Sequence, residues 1–343
     1  KKESRLMEAD SKTFAISRSL HYGLFQVFEG IRFFATMTHK GLELSFVNLE
    51  HNLNRFRRGI LFSISPADQD YVPSIEELRR IFIEDFLGQA EVRPFLEDMA
   101  ARKAQGYLRP FTLDEEQSIG VTFPHEPGIR AAFCSYDRYL GEPFSGVVVP
   151  NLVRAVTTNG TGCLKLGSNY LLSVKAVQYA KQVLASANAA LFLDDRPDKD
   201  IFDRMVTEWD SSCCLFALSD GSIVKIPEGP LILPSVTIQG VCSLAKERGI
   251  SVQERQVRYG ELVQWAKSGE LVAVCSIGTA GILNRCEALH LVDNDSNIIV
   301  THRSQKEHPL FTALSEIRAD YWKLFTGEKE VPVELRPERH LLG

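Results

Sequence analysis

Residues 162–170 of this chain are Gly162, Cys163, Leu164, Lys165, Leu166, Gly167, Ser168, Asn169 and Tyr170. Lys165 has a leucine on each side, a glycine-rich approach, and a run with helical spacing after it. A lysine on an exposed helix usually has polar neighbours, whereas this one is placed for a tight turn that enters a helix, partly out of water. Desolvation disfavours the ammonium and frees the amine as a nucleophile, which is what a Schiff-base lysine requires. Taken alone, the stretch reads more simply as an ordinary lysine in a glycine-rich loop, and the rest of the chain has to decide.

Other residues suited to chemistry are scattered. Glu208 stands in the apolar setting Met205-Val206-Thr207-Glu208-Trp209, just before a predicted strand. Taken alone, a turn or capping role is its plainer reading. Arg55 lies on a basic helix face, where a solvated arginine is the plainer reading. Two small-residue turns, Ser235-Val236-Thr237 and Gly278-Thr279-Ala280, fall at a helix start and a strand end, where exposed backbone N–H groups can hold an anion. There is no GxSxG elbow, HExxH pair, phosphate-binding Walker loop or GxGxxG after a strand. No metal site is read from the sequence.

The whole-chain properties bound the answer. At 343 residues, two domains are expected. The net charge of −5 and the absence of a basic run argue against a nucleic-acid or anionic-membrane partner. The longest apolar runs, such as 271–277, are far shorter than the roughly 20 residues of a membrane-spanning helix. The seven cysteines include no Cys-x-x-Cys pair and are odd in number, which fits reduced thiols in a cytoplasmic protein.

The elements that must position these residues follow from periodicity. Residues 21–29 predict a short helix, broken at Gly30 and followed by a strand, a turn at 39–41 and a returning strand over 42–47. Residues 49–62 predict a helix with Leu53, Phe56 and Ile60 on one face. Ser74-Ile75-Glu76-Glu77 is a capping box that opens a helix over 75–87. Strands are predicted over 107–112 and 129–136. Residues 136–146 lose all periodicity, so the boundary is placed there: a small domain over 1–136, an interdomain loop over 137–146, and a larger domain over 147–343 holding Lys165. In that second part 147–158 is extended, and a helix over 170–185 turns Leu171, Val174, Val177 and Leu184 inward. Strands are predicted over 190–193, 213–218, 222–226, 250–257 and 271–277. Helices are predicted over 235–248 and 309–325, the latter burying Leu310, Leu314, Ile317 and Tyr321. Helices and strands mix in both parts without strict alternation, which is an α+β pattern.

With these segments in hand, the chain resembles the class IV (fold-type IV) pyridoxal-phosphate aminotransferases, and most closely the branched-chain aminotransferases, over about residues 21–327. His21-Tyr22-Gly23 with Val27-Phe28-Glu29-Gly30-Ile31-Arg32 is similar to that family's HYG…VFEGIR segment. Asn52-Leu53-Asn54-Arg55 is similar to its phosphate-arginine helix, and Tyr107-Leu108-Arg109-Pro110 to its Y-x-R-P strand. Gly160-Thr161-Gly162 with Lys165-Leu166-Gly167-Ser168-Asn169-Tyr170 matches the cofactor-lysine segment. Val206-Thr207-Glu208, Leu233-Pro234-Ser235-Val236-Thr237 and Gly278-Thr279-Ala280 follow in the family's order.

The resemblance implies an α+β fold of two domains, the larger one a pseudo-barrel, and pyridoxal 5′-phosphate as cofactor. Lys165 would carry the cofactor as a Schiff base and move the proton. Glu208 would pair with the pyridine nitrogen and Tyr170 with the ring hydroxyl. Arg55, Val236, Thr237 and Thr279 would hold the phosphate. Phe28, Gly30, Tyr107, Thr279 and Ala280 would line the substrate side, and Tyr22 would reach the partner's site in a homodimer. Arg109 is the candidate for a substrate carboxylate, with an internal salt bridge as its rival role. The implied reaction is ping-pong transfer of an amino group between an aliphatic L-amino acid and 2-oxoglutarate. A D-amino-acid aminotransferase, an aminodeoxychorismate-lyase-like enzyme and a non-catalytic metabolite-binding homologue are the alternatives. Ser235, Ile238, Cys213 and Ser168 depart from the family's usual residues. The first three leave substrate identity open more than fold.

Overall fold

The capping box forms as its sequence predicts: Ser74 Oγ accepts from Glu77 N and the Glu77 carboxylate accepts from Ser74 N. The helix it opens runs over Ile75–Phe82 and then widens into a π turn over Ile83–Leu87. The structure, a computed structural model, describes residues 5–8, 16–137, 143–154, 158–196, 198–329 and 335–342. Residues 138–142 of the expected interdomain loop and 155–157 of the expected extended run lie outside these. The chain divides into two compact units. One comprises Lys1–Arg138, Leu164–Ser168 and Leu324–Gly343, and the other Tyr139–Cys163 and Asn169–Lys323. The stretch that contains Lys165 is thus counted with the first unit.

In the first unit, α1 (Arg18–Tyr22) stops at Gly23, whose φ of 67° is left-handed. The predicted helix over 21–29 is therefore shorter and earlier, and the chain is extended by Val27 and Phe28, which bridge to Leu166 and Phe111. Strands β1 (Ile31–Thr38) and β2 (Gly41–Phe46) make the expected hairpin, Thr38 facing Gly41. Helix α2 (Leu49–Ser63) buries Leu53, Phe56 and Ile60, as their spacing requires. Helices α3 (Ile75–Phe82) and α4 (Arg93–Arg102) precede β3 (Gln105–Asp114) and β4 (Pro127–Tyr136). Among the described residues the sheet runs in the order Glu338–Leu342 strand, β2, β1, β3, β4. Phe33 and Phe46 stack in its core at 5.5 Å between ring centroids.

The second unit begins with β5 (Phe144–Val149), α5 (Tyr170–Val183), β6 (Ala189–Leu193) and β7 (Val206–Trp209). It continues through β8 (Cys213–Leu218), β9 (Ile223–Lys225), α6 (Val236–Glu247), β10 (Val252–Glu254) and α7 (Tyr259–Ser268). It closes with β11 (Leu271–Gly278), β12 (Ile282–Val292), β13 (Ile298–Arg303) and α8 (Pro309–Thr326). The sheet order is β10-β9-β8-β11-β12-β5-β6-β7, with β13 also on β12. Five strand spacings separate β7 from β8 along this path, about 24 Å if flat. Only residues 210–212 join them, a reach of about 14 Å. The sheet therefore curls, which is the half-barrel form expected of the larger domain. One expectation fails here. Helix α5 buries Ser173, Ala176 and Ala180, while Leu171 and Val174 are exposed and Val177 and Leu184 are half-buried. Small side chains let the helix backbone lie close to β5 and β6, so the inward face is the small one rather than the most apolar one.

Candidate active site

Each unit carries a buried charged cluster that includes residues the sequence singles out. In the first unit, Lys165 is held by backbone pairing. Phe28 N donates to Lys165 O at 3.1 Å and Gly167 N donates to Gln26 O at 2.8 Å. Leu164 and Leu166 are buried, and Lys165 between them is half-buried. Its Nζ lies 4.9 Å from the centre of the Phe28 ring. The short turn Gly167–Asn169 then leads into α5, as the sequence predicts.

One residue beyond Phe28 is Glu29, which is fully buried. Its carboxylate accepts from Arg55 Nε at 2.7 Å, from Arg55 Nη2 at 2.5 Å and from Gly30 N at 2.7 Å. Burial pushes this carboxyl up, but the Arg55 guanidinium, the Lys165 charge and the Gly30 N–H outweigh it and hold Glu29 below the usual carboxylate range. Gly59 makes the approach possible. A Cβ there would lie 2.5 Å from Val27 Cγ1, so only glycine lets the 27–29 segment lie against the helix that carries Arg55. Gly30 is equally constrained, because a Cβ would collide with the Tyr107 hydroxyl. That hydroxyl accepts from Arg109 Nη2 at 3.0 Å. The Arg109 guanidinium lies 4.8 Å from the Phe28 ring centre and 5.2 Å from that of Tyr107. Among the described residues it makes no ion pair. Tyr22 is about half exposed, and its hydroxyl donates to Ile119 O at 3.1 Å.

In the second unit, Glu208 sits on β7, with 1% of its surface exposed. Its Oε1 accepts from Leu233 N at 3.2 Å and lies 2.8 Å from Arg154 Nη1. Arg154 is itself 3% exposed, and its guanidinium is 5.6 Å from the Tyr170 ring centre. Burial pulls this guanidinium down, but Glu208, Tyr170, Cys213 and Asp210 together keep it above its ordinary value. The approach to Glu208 is an ion pair off hydrogen-bond geometry: neither Arg154 Nη1 nor Nε has a hydrogen-bond partner among the described residues. A buried Nε without an acceptor, and an Nη1 held by charge alone, beside a carboxylate and a tyrosine suit a flat, acceptor-bearing guest. They fit the ring of a pyridoxal cofactor.

The anion cradle of this unit also has its parts. Ser235 caps α6, accepting from Ile238 N at 3.2 Å, and Val236 and Thr237 are its first residues. The first N–H groups of a helix find no carbonyl within it and favour anions. Thr279 and Ala280 stand half-buried in the turn where β11 passes to β12. Of the departures from the family pattern, Ser235 is thus a working cap and Ile238 a core residue. Cys213 Sγ donates to Leu233 O at 3.4 Å. Glu29 and Arg154 were not singled out by the sequence reading. The signal was the one that marked Lys165, a charged residue flanked by apolar ones: Phe28 before Glu29, and Val153 and Ala155 around Arg154.

No family model matches the chain. A probable branched-chain-amino-acid aminotransferase of Staphylococcus aureus is 26% identical over 309 residues, covering 87% of this chain and 78% of the relative. Among solved structures, the branched-chain aminotransferase of the archaeon Thermoproteus uzoniensis, determined with norvaline, superposes with a TM-score of 0.69. Identity there is 21%, covering 94% of this chain and 92% of that one. The chain has the fold of a branched-chain aminotransferase. The T.th. enzyme of that name, complexed with N-(5′-phosphopyridoxyl)-L-glutamate, superposes with a TM-score of 0.66 at 23% identity, covering 94% and 92%. The fold-type IV, α+β architecture expected from the sequence is therefore the one found. Among the described residues no helix is long and apolar enough to cross a membrane, and no group of three or more histidine, cysteine and acidic residues is placed to hold a metal.

Proposed function

We propose that the protein is a pyridoxal-phosphate-dependent aminotransferase of the branched-chain type, moving an amino group between an aliphatic L-amino acid and 2-oxoglutarate in two half-reactions. The observation that carries this reading is the buried Glu208–Arg154–Tyr170 cluster. A core has no use for a carboxylate beside an arginine whose Nε finds no acceptor, whereas a pyridoxal ring offers its nitrogen to the one and its hydroxyl oxygen to the other. When bound, the cofactor supplies an electron sink for negative charge developing at the substrate's α-carbon. Glu208 holds a proton on the ring nitrogen, and Tyr170 binds the ring hydroxyl. Lys165 holds the cofactor covalently at rest and moves the proton between the substrate's Cα and the cofactor's C4′. Arg55, the first turn of α6 at Val236 and Thr237, and Thr279 hold the phosphate. Phe28, Gly30, Tyr107, Thr279 and Ala280 shape the substrate side, and Arg109 takes a carboxylate by its planar fork. Tyr22 serves the neighbouring subunit of a homodimer, and the free thiols suit a cytoplasmic setting.

Borohydride reduction followed by peptide mapping tests the core of this. The cofactor is expected on the peptide bearing Lys165, and a label on Lys175 or Lys181 would remove the assignment. Single turnovers with separate amino donors test the substrate. Loss of the visible absorbance of bound cofactor is expected with L-leucine, L-valine and L-glutamate. Reaction with D-alanine in place of L-leucine would point instead to a D-amino-acid enzyme. A protein that holds cofactor and reacts with none of these would point to a specialised donor or a non-catalytic role.

A further inference from the structure

The Glu29 carboxylate is the one buried charge of the first unit's cluster that the reaction leaves without a task. We infer that Glu29 is a positioning residue for cofactor binding: it grips the Nε–Nη2 edge of Arg55 so that the remaining part of the guanidinium meets the phosphate in one fixed orientation. This rests on the reading of Arg55 as the phosphate anchor.

Three features of the structure argue for it. The grip is bidentate, at 2.7 and 2.5 Å, which fixes the plane of the guanidinium as well as its place. The carboxylate is itself fixed, because Gly30 N donates to it at 2.7 Å and Glu29 N donates to Pro110 O at 2.9 Å. Gly59 admits the whole segment to the face of α2, so the arrangement is built into two elements rather than one side chain. Two of the five N–H donors of Arg55 are committed to Glu29 before any ligand arrives. An arginine so held has little rotamer freedom left to lose when an anion binds. A carboxylate near a phosphate also repels it. Orientation and charge therefore act in opposite directions, and the experiment has to separate them.

Glu29→Asp keeps the charge and withdraws it by one methylene, whereas Glu29→Gln keeps the reach and removes the charge. The full chain of each is titrated with pyridoxamine phosphate, which forms no Schiff base, and with pyridoxamine, which lacks the phosphate. Near-UV circular dichroism reports the fold. Glu29→Asp is expected to weaken pyridoxamine phosphate about tenfold, the scale of one charge-assisted hydrogen bond, and to leave pyridoxamine within about twofold. Glu29→Gln, which still accepts one N–H, is expected to lose less. Unchanged pyridoxamine-phosphate affinity in Glu29→Asp would overturn the inference. So would equal losses for both ligands, which would make Glu29 a structural residue only. If Glu29→Asp does not fold, the same ratio of the two ligands in Glu29→Gln decides, and a ratio equal to wild type overturns the inference. Arg55→Met is the control. If it retains pyridoxamine-phosphate affinity, the phosphate-anchor reading falls and the inference with it. If it alone loses affinity, only the role of Glu29 falls.

Discussion

Both units bury an arginine against a glutamate, and the two pairs are built differently. Arg55 and Glu29 meet through two hydrogen bonds, with Gly30 N–H and the Lys165 charge also acting on the carboxylate. Arg154 approaches Glu208 at 2.8 Å without hydrogen-bond geometry, and its Nε has no hydrogen-bond partner among the described residues. The Arg55–Glu29 pair is locked by its two hydrogen bonds, the form that the proposed function asks of a fixed anchor. The Arg154–Glu208 pair is open, with hydrogen-bonding capacity unspent in a buried place. A buried ion pair is poor evidence for stability as such, since desolvation cancels most of the attraction. The contrast instead separates two uses of the same residues, holding still and receiving a guest.

Removing one arginine from each pair gives the largest expected effects. A buried carboxylate stripped of its cation costs about 3–5 kcal/mol. Arg154→Met is expected to reach that range in chemical denaturation, because Glu208 is 1% exposed. Arg55→Met is expected to cost less, because Glu29 keeps the Lys165 charge as well as a backbone N–H, the counterpart of the Leu233 N–H on Glu208. If Arg55→Met proved the more damaging, the first pair would be a structural keystone and the comparison would be reversed.

Each pair was half legible in the sequence. The segments of Arg55 and Glu208 imply a role for each, whereas Glu29 lies in the VFEGIR segment without one and Arg154 lies in none of these segments. Glu29 is 26 residues from Arg55, and nothing local says which cation it meets. Arg154 lies in an apolar run, where its charge was the visible clue and its partner was not. Pairing is a tertiary fact that periodicity does not encode. The helix over 170–183 fails for a related reason: Leu171 and Val174 face outward because the close approach to β5 and β6 takes the small residues, Ser173, Ala176 and Ala180. Elements set by local chemistry came through well, including the capping box, the β1–β2 hairpin, the helix that starts after Ser235 and the inward face of α8. Helices α4 and α7 and strand β12 did not, since their patterns are short or interrupted by charge.

Acid sharpens the comparison with an effect somewhat smaller than the arginine substitutions. His302, on β13 of the second unit, is buried, and burial pulls its pKa from 6.5 to about 4. Between those values the unfolded chain takes up a proton and the folded one does not, so stability is lost as pH falls from 6.5 to 4. The shift corresponds to about 3 kcal/mol. Glu29 in the first unit has a depressed carboxyl, so its contribution is full above its unfolded value and fades only below about 4.3. Urea denaturation at pH 7, 5.5 and 4.5 is expected to show loss already at 5.5, and His302→Leu is expected to remove most of that early loss. An unchanged pH profile in His302→Leu would show that this histidine is not the sensor.

The smallest expected effect concerns Cys213, at the start of the strand that follows Glu208. Cys213 Sγ donates to the Leu233 carbonyl at 3.4 Å, and the Leu233 N–H donates to Glu208 at 3.2 Å. The thiol thus reaches the carboxylate through one peptide, and a thiol is a weak donor. Cys213→Ala removes that donor without leaving a charge unpaired, so the stability change is expected to be about 1 kcal/mol or less. Turnover is expected to fall by less than about fivefold, a fraction of the loss in Glu208→Gln, because the carboxylate keeps both Arg154 and the Leu233 N–H. Cys213→Ser, which restores a donor on a shorter bond, should fall between wild type and alanine in denaturation midpoint. If Cys213→Ala instead matched Glu208→Gln in turnover while keeping its stability, the thiol would be acting on the reacting groups directly. The Arg154–Glu208 pair would then be one part of a larger constellation that includes sulfur.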